Sequence, residues 1–212
     1  MPQGPSGVIF LWGLFMPLVE PATKRAISFV DGQNLYRSVK ECFGYHYPNF
    51  DVLSLSHAVC QSRYGCNVDQ ARFYTGVPPL AEDPRWHHFW HAKLSAMSRQ
   101  GIYVYDRPTR NGKEKGIDVR IALDVIGMAH RNLYDIAVIF SQDQDLSEIV
   151  AEIKALAQEQ QRWIKVACAY PCAAHINKRG INQTEWVRIT KEMYDACIDP
   201  RDYRPKSSRS AS

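Results

Sequence analysis

The chain has 212 residues, of which 45% are hydrophobic and 23% charged, with a formal net charge of +4. That composition excludes a disordered chain or a membrane protein, and the length suits one α/β domain with a sizeable core. The mild positive charge is compatible with a polyanionic partner but does not demand one.

In chain order, the first notable stretch is GVIFLWGLFMPLV at 7–19. It is apolar but shorter than the about 20 residues of a membrane span, and no basic region precedes it as in a signal peptide. Residues 1–22 are therefore expected to be a disordered leader outside the fold, either vector-derived or an over-extended start with Met16 as the initiator. RAISFVD (25–31) predicts a first strand, and GQNLYRSVKECFG (32–44) a helix closed by Gly44. A second helix is expected over 51–63, then the strand QARFYTGV at 70–77. Over 83–101, Asp83 can cap a third helix, Pro84 fits its first turn and Gly101 its stop.

IYVYDR (102–107) reads as an edge or middle strand, and GIDVRIALDVIGMAHR (116–131) as an apolar-striped helix. DIAVIFS (135–141) is a fully apolar strand, followed by a helix at 145–160 and a strand at 162–170. EWVRIT and KEMYDACI can add a short strand and a helix. Apolar strands alternating with helices indicate a parallel sheet covered on both faces. The domain is expected to span 23–203, with RPKSSRSAS (204–212) a basic, disordered tail. Cys42, Cys60, Cys66, Cys168, Cys172 and Cys197 form no CxxC pair and read as reduced thiols of a cytoplasmic protein.

Ligands of an open parallel sheet bind at the carboxyl ends of its strands, near the point where strand order reverses. Asp31 ends the first strand, and Asp143 follows the strand at 135–141. Asp145 opens the next helix, and Asp118 falls in the first turn of the helix that precedes that strand. All four carboxylates can meet on one rim. Singly, Asp118 and Asp145 would be explained by the helix macrodipole, and Asp143 by an Asx turn. A buried strand that ends on Asp31 needs compensation for the charge, and a metal ion shared by the group supplies it. Asp124 lies about two helical turns beyond Asp118 and is expected to hold neighbouring side chains or loops.

FVDGQNLY, KGIDVRIALD and FSQDQDL, in that order within residues 25–170, resemble the NYN domains, relatives of the PIN-like metal-dependent ribonucleases. The resemblance implies a three-layer α/β/α sandwich with a mainly parallel sheet of strand order near 3-2-1-4-5. It also implies an acidic pocket for magnesium or manganese. The family's motif carboxylates fall on Asp31, Asp118 and Asp143, and its supporting polar positions on Asn34, Ser141 and Asp145. Gln142 and Gln144 stand where small residues are common in the family, a departure that bears on pocket width.

Magnesium and manganese favour oxygen ligands and keep several waters, so a few carboxylates suffice. The expected activity is hydrolysis of phosphodiester bonds, with single-stranded RNA the favoured substrate. Asp31, Asp118 and Asp143 would anchor metal, and Asp145 would orient a water or a second ion. Lys115 can pair with a substrate phosphate or be a solvated loop lysine. Arg107, Arg110 and Lys113 form either a phosphate-tracking patch or a solvated charge run.

Other signals weigh less. His87 and His91 share the spacing of a zincin, but position 88 is His where that motif needs Glu. WHHFWH can offer a stacking surface to bases, or its tryptophans can be core. Cys168, Cys172 and His175 do not close a structural zinc site. A non-catalytic RNA-binding or adaptor module of the same fold is the competing reading. A magnesium phosphatase is disfavoured because VDGQN supplies one Asp where a DxD motif is needed. The sequence leaves a homo-oligomer open.

Overall fold

In a computed structural model, residues 18–110, 112–176 and 178–205 are described. The expected leader lies outside the described residues up to position 17, and the expected tail from 206 onward. Leu18, Val19 and Pro21 border a shallow depression with Asp135 and Trp163.

Six parallel strands form one sheet in the order β3-β2-β1-β4-β5-β6. They are β1 (Ala26–Asp31), β2 (Gln70–Val77), β3 (Tyr103–Pro108), β4 (Ile136–Phe140), β5 (Lys165–Pro171) and β6 (Glu185–Ile189). The helices are α1 (Gly32–Phe43), α2 (Val52–Tyr64), α3 (Pro84–Arg99), α4 (Ile117–His130), α5 (Glu148–Glu159) and α6 (Lys191–Asp195). Successive strand residues point to opposite faces. Ala26 and Val30 of β1 therefore join a core with Leu35, Val59, Trp90 and Tyr194, from α1, α2, α3 and α6. Ile27 and Phe29 join a second core with Ile121 and Val125 of α4 and Ile153 of α5. The result is a three-layer α/β/α sandwich, and every residue of β1 and β4 is buried.

IYVYDR falls in the edge strand β3, whose last three residues, Asp106, Arg107 and Pro108, are exposed. The helix expected from 145 begins instead as a 3-10 turn over Gln144–Ser147. Asp143 accepts the Asp145 N–H at 3.1 Å, two residues on, and this Asx-type contact tightens the first turn. Between β5 and β6, residues 172–176 and 178–184 form an irregular crossover. The C-terminal segment is tied to α3 through Lys93, whose Nζ donates to the Phe50 carbonyl at 2.9 Å and lies 3.6 Å from Asp199. Among the described residues no helix is long and apolar enough to cross a membrane.

Candidate functional site

β2 and β3 lie on one side of β1, and β4 and β5 on the other. Strand order therefore reverses between β1 and β4, and a parallel sheet opens a crevice at that place. Val30 pairs with Phe140, so Asp31 and Ser141 are the next positions outward at the carboxyl edge. Asp31 is also the N-cap of α1, its Oδ1 accepting the Asn34 N–H at 3.0 Å. Gly32 follows because the Phe73 ring sits where a Cβ would be. Asn34 in turn accepts the Gln142 N–H at 3.0 Å, and Ser141 Oγ accepts the Asp143 N–H at 3.2 Å. These bonds hold the loop after β4 against the first turn of α1.

A cavity of ≈ 320 Å³ opens at this point, and Asp31, Asp118, Asp143 and Asn34 line it. So does Glu114, which sequence reasoning missed. Glu114 lies in the polar loop RNGKEKG and reaches over β2 to accept the Gly76 N–H. Gly76 permits this approach, because a Cβ there would fall 2.5 Å from Glu114 Cγ and 2.8 Å from Thr109 Cγ2. Arg37 and Lys113 are the cations of the wall.

Burial pushes the Asp31 carboxyl up to about 6 against the opposing Asn34 N–H, and the Asp143 charge adds to the rise. Burial likewise pushes Glu114 up to about 7, with Gly76 opposing and the charges of Asp31 and Asp118 contributing. Arg37 lowers both. Four carboxylates line the cavity against two cations.

The structure leaves several expected residues outside. Asp145 is exposed on the 3-10 turn, and its backbone N–H serves Asp143 while its carboxylate is absent from the cavity wall. Asp124 is buried in a separate network, 2.9 Å from both Arg72 and Arg120 and accepting the Tyr74 hydroxyl at 2.8 Å. Lys115, Arg107 and Arg110 are exposed and do not line the cavity, and Arg107 donates to the Lys115 carbonyl at 3.4 Å. Gln142 and Gln144 leave the cavity width untouched, because their side chains turn toward the crossover. Gln142 Nε2 donates to the Arg179 carbonyl at 2.8 Å, and Gln144 Nε2 to that of Gly180 at 3.1 Å. They help form an adjoining depression of ≈ 310 Å³ with Arg37, Lys178 and Arg179.

His87 and His91 lie in a different cavity of ≈ 380 Å³, between α3 and β3, with His87 Nδ1 2.9 Å from the Pro78 carbonyl. Cys168 is buried, donating to the Ser141 carbonyl at 3.0 Å and accepting the Ile181 N–H at 3.3 Å.

The NYN domain family matches residues 25–167. The chain belongs to the NYN domain family. The match takes in Asp31, Glu114, Asp118 and Asp143, and stops before the crossover that carries Lys178 and Arg179. The NYN domain here is also similar in structure to a Vibrio parahaemolyticus protein of unknown function. The TM-score is 0.50 at 24% identity, over 82% of this chain and 98% of the other, a likeness of fold alone. A comparison with curated proteins found no match.

The donor set suits a hard divalent cation, being carboxylate oxygens with an amide oxygen nearby. Helix capping occupies one oxygen of Asp31 and one of Asp143, and a carboxylate has a second for an ion. Among the described residues no three His, Cys, Asp or Glu side chains are gathered closely enough to hold a metal by themselves. Magnesium does not require such a cage, since it binds through one or two carboxylates with waters and substrate phosphates.

Proposed function

We propose that this NYN domain is a divalent-metal-dependent nuclease that hydrolyses phosphodiester bonds in single-stranded RNA. The observation that carries this reading is the convergence of Asp31, Glu114, Asp118 and Asp143 on one cavity at the strand-order reversal. Asp31, Asp118 and Asp143 would hold magnesium or manganese. When bound, such an ion supplies charge neutralisation at the phosphate and acidifies water. Arg37 lines both the acidic cavity and the depression with Lys178 and Arg179, so it is placed to hold a phosphate at the boundary. These cations replace Lys115, Arg107 and Arg110 as the backbone-tracking group.

A raised carboxyl such as Glu114 is suited to exchange a proton near neutral pH, the range where general acid–base groups work best. The competing reading is a non-catalytic RNA-binding module of the same fold.

Incubating the purified chain with labelled single-stranded RNA and DNA, in manganese or in EDTA, separates the two. Cleavage in manganese that EDTA abolishes is expected. RNA bound but left intact under both conditions would establish the binding module instead.

A further inference from the structure

Beside the acidic cavity lies a smaller, mainly apolar one of ≈ 250 Å³. Gln33 and Gly112 line both, so the two are contiguous. Tyr36, Trp86 and Pro78 supply flat apolar walls, with the Tyr36 and Trp86 rings 6.0 Å apart between centroids. Gln33, Tyr36 and Arg37 stand at i, i+3 and i+4 of α1, so one helical face passes from the aromatic cavity to the acidic one. Thr109 also lines the smaller cavity. It is 5% exposed, and its buried hydroxyl has no hydrogen-bond partner among the described residues. A buried polar group left unpaired is costly, so a hydroxyl placed this way points to a ligand that completes it.

We infer that this cavity seats one unpaired nucleobase of the strand whose phosphodiester lies in the acidic cavity, a subsite that rests on the nuclease reading. Bases of single strands are recognised by stacking on aromatic rings and by hydrogen bonds at their edges. Tyr36 and Trp86 supply the ring surface. The Thr109 hydroxyl and the Gln33 amide supply edge contacts. The cavity's volume suits one ring system and is below the about 300–1,000 Å³ of drug-sized ligand sites. A duplex would have to surrender the base first, so the subsite selects single strands.

The test is binding of a short single-stranded RNA in which one abasic nucleotide is walked along the sequence, measured by fluorescence anisotropy in EDTA. One position is expected to weaken binding by about tenfold when its base is missing. In Trp86→Ala that position dependence is expected to vanish, and in Trp86→Phe to persist. Thr109→Val removes the hydroxyl with little change of shape, and carries the test if Trp86→Ala does not fold. It is expected to keep the abasic effect while narrowing the differences among the four bases at that position. A wild-type profile with no distinguished position, an unaltered abasic profile in a folded Trp86→Ala, or unchanged base preferences at that position in Thr109→Val, would overturn the subsite. Cleavage of the same RNA in manganese, run in parallel, tells the two readings apart. Cleavage without a position effect removes the subsite alone, whereas a position effect without cleavage keeps the subsite and removes the nuclease.

Discussion

Asp31→Asn and Asp143→Asn are each expected to lower RNA hydrolysis by about 10³-fold or more. A metal site supplies several kcal/mol of charge stabilisation in the transition state, and about 4 kcal/mol corresponds to that factor. The fold should survive both changes. Asn Oδ1 can accept the same bonds that Asp31 takes from the Asn34 N–H and Asp143 from the Asp145 N–H. Circular dichroism spectra matching the wild type would show that the loss is chemical. Asp145→Asn is the contrast, because its carboxylate stands outside the cavity, and it should lose only a small part of the activity. Full activity in either of the first two variants, once contaminating nuclease is removed, would sink the site.

The largest effect on stability is expected from Asp124→Ala. Asp124 is nine-tenths buried between Arg72 and Arg120, and Arg72 is itself buried, with its guanidinium 3.6 Å above the Tyr103 ring. Removing the carboxylate leaves the Arg72 charge buried without its partner, a change that costs about 3–5 kcal/mol. Urea denaturation at pH 7 would measure it. The pH dependence has a definite sign. Burial pushes the Asp124 carboxyl up, but the Tyr74 hydroxyl and the Arg72 and Arg120 guanidinium groups outweigh it, and the pKa lies below the ordinary value. A carboxylate depressed in the folded state contributes stability above its unfolded pKa and loses it as pH falls through the folded one. The gap between wild type and Asp124→Ala should therefore narrow in acid. A variant as stable as wild type at neutral pH would show that the network contributes little.

Asp31 and Asp143 were legible because the strands before them are almost wholly apolar, which fixes where each strand ends and on which edge. Asp118 followed from topology, since a helix that leads into a parallel strand begins at that same edge. Asp124 was separable from the site by helical spacing alone. Glu114 was not found, because it sits between two lysines in a loop whose path over β2 no periodicity records. One signal was available: a glycine inside a strand marks a place where another group approaches closely, and Gly76 occupies the position opposite Glu114.

Asp145 was misplaced for a local reason. The sequence reads as a regular helix start, whereas the Asp143 side chain pulls the turn into 3-10 form and leaves the Asp145 carboxylate in solvent. The roles of Gln142 and Gln144 depend on the 178–182 crossover, which lies across the sheet edge by tertiary packing that the pattern of residues does not encode. Trp86 could be read either as core or as a stacking surface. It is half-buried, packed on Tyr47 and Phe89 while still lining a cavity.

Whether the acidic cavity is built for a metal ion can be decided by four melting curves: wild type and Asp143→Asn, each in EDTA and in millimolar manganese. Without metal, burial disfavours the charged forms of Asp31 and Glu114, and repulsion from Asp143 on the one and from Asp31 and Asp118 on the other adds to it. Asp143→Asn removes one charge and keeps the cap, so it should melt higher than wild type in EDTA, by about 1 kcal/mol of added stability. Manganese should stabilise the wild type by mass action, about 2.7 kcal/mol at a concentration one hundred times its dissociation constant, and should do little for the variant. A variant that melts lower than wild type in EDTA would make Asp143 a structural hydrogen-bonding residue. Equal gains from manganese in both proteins would place the ion elsewhere.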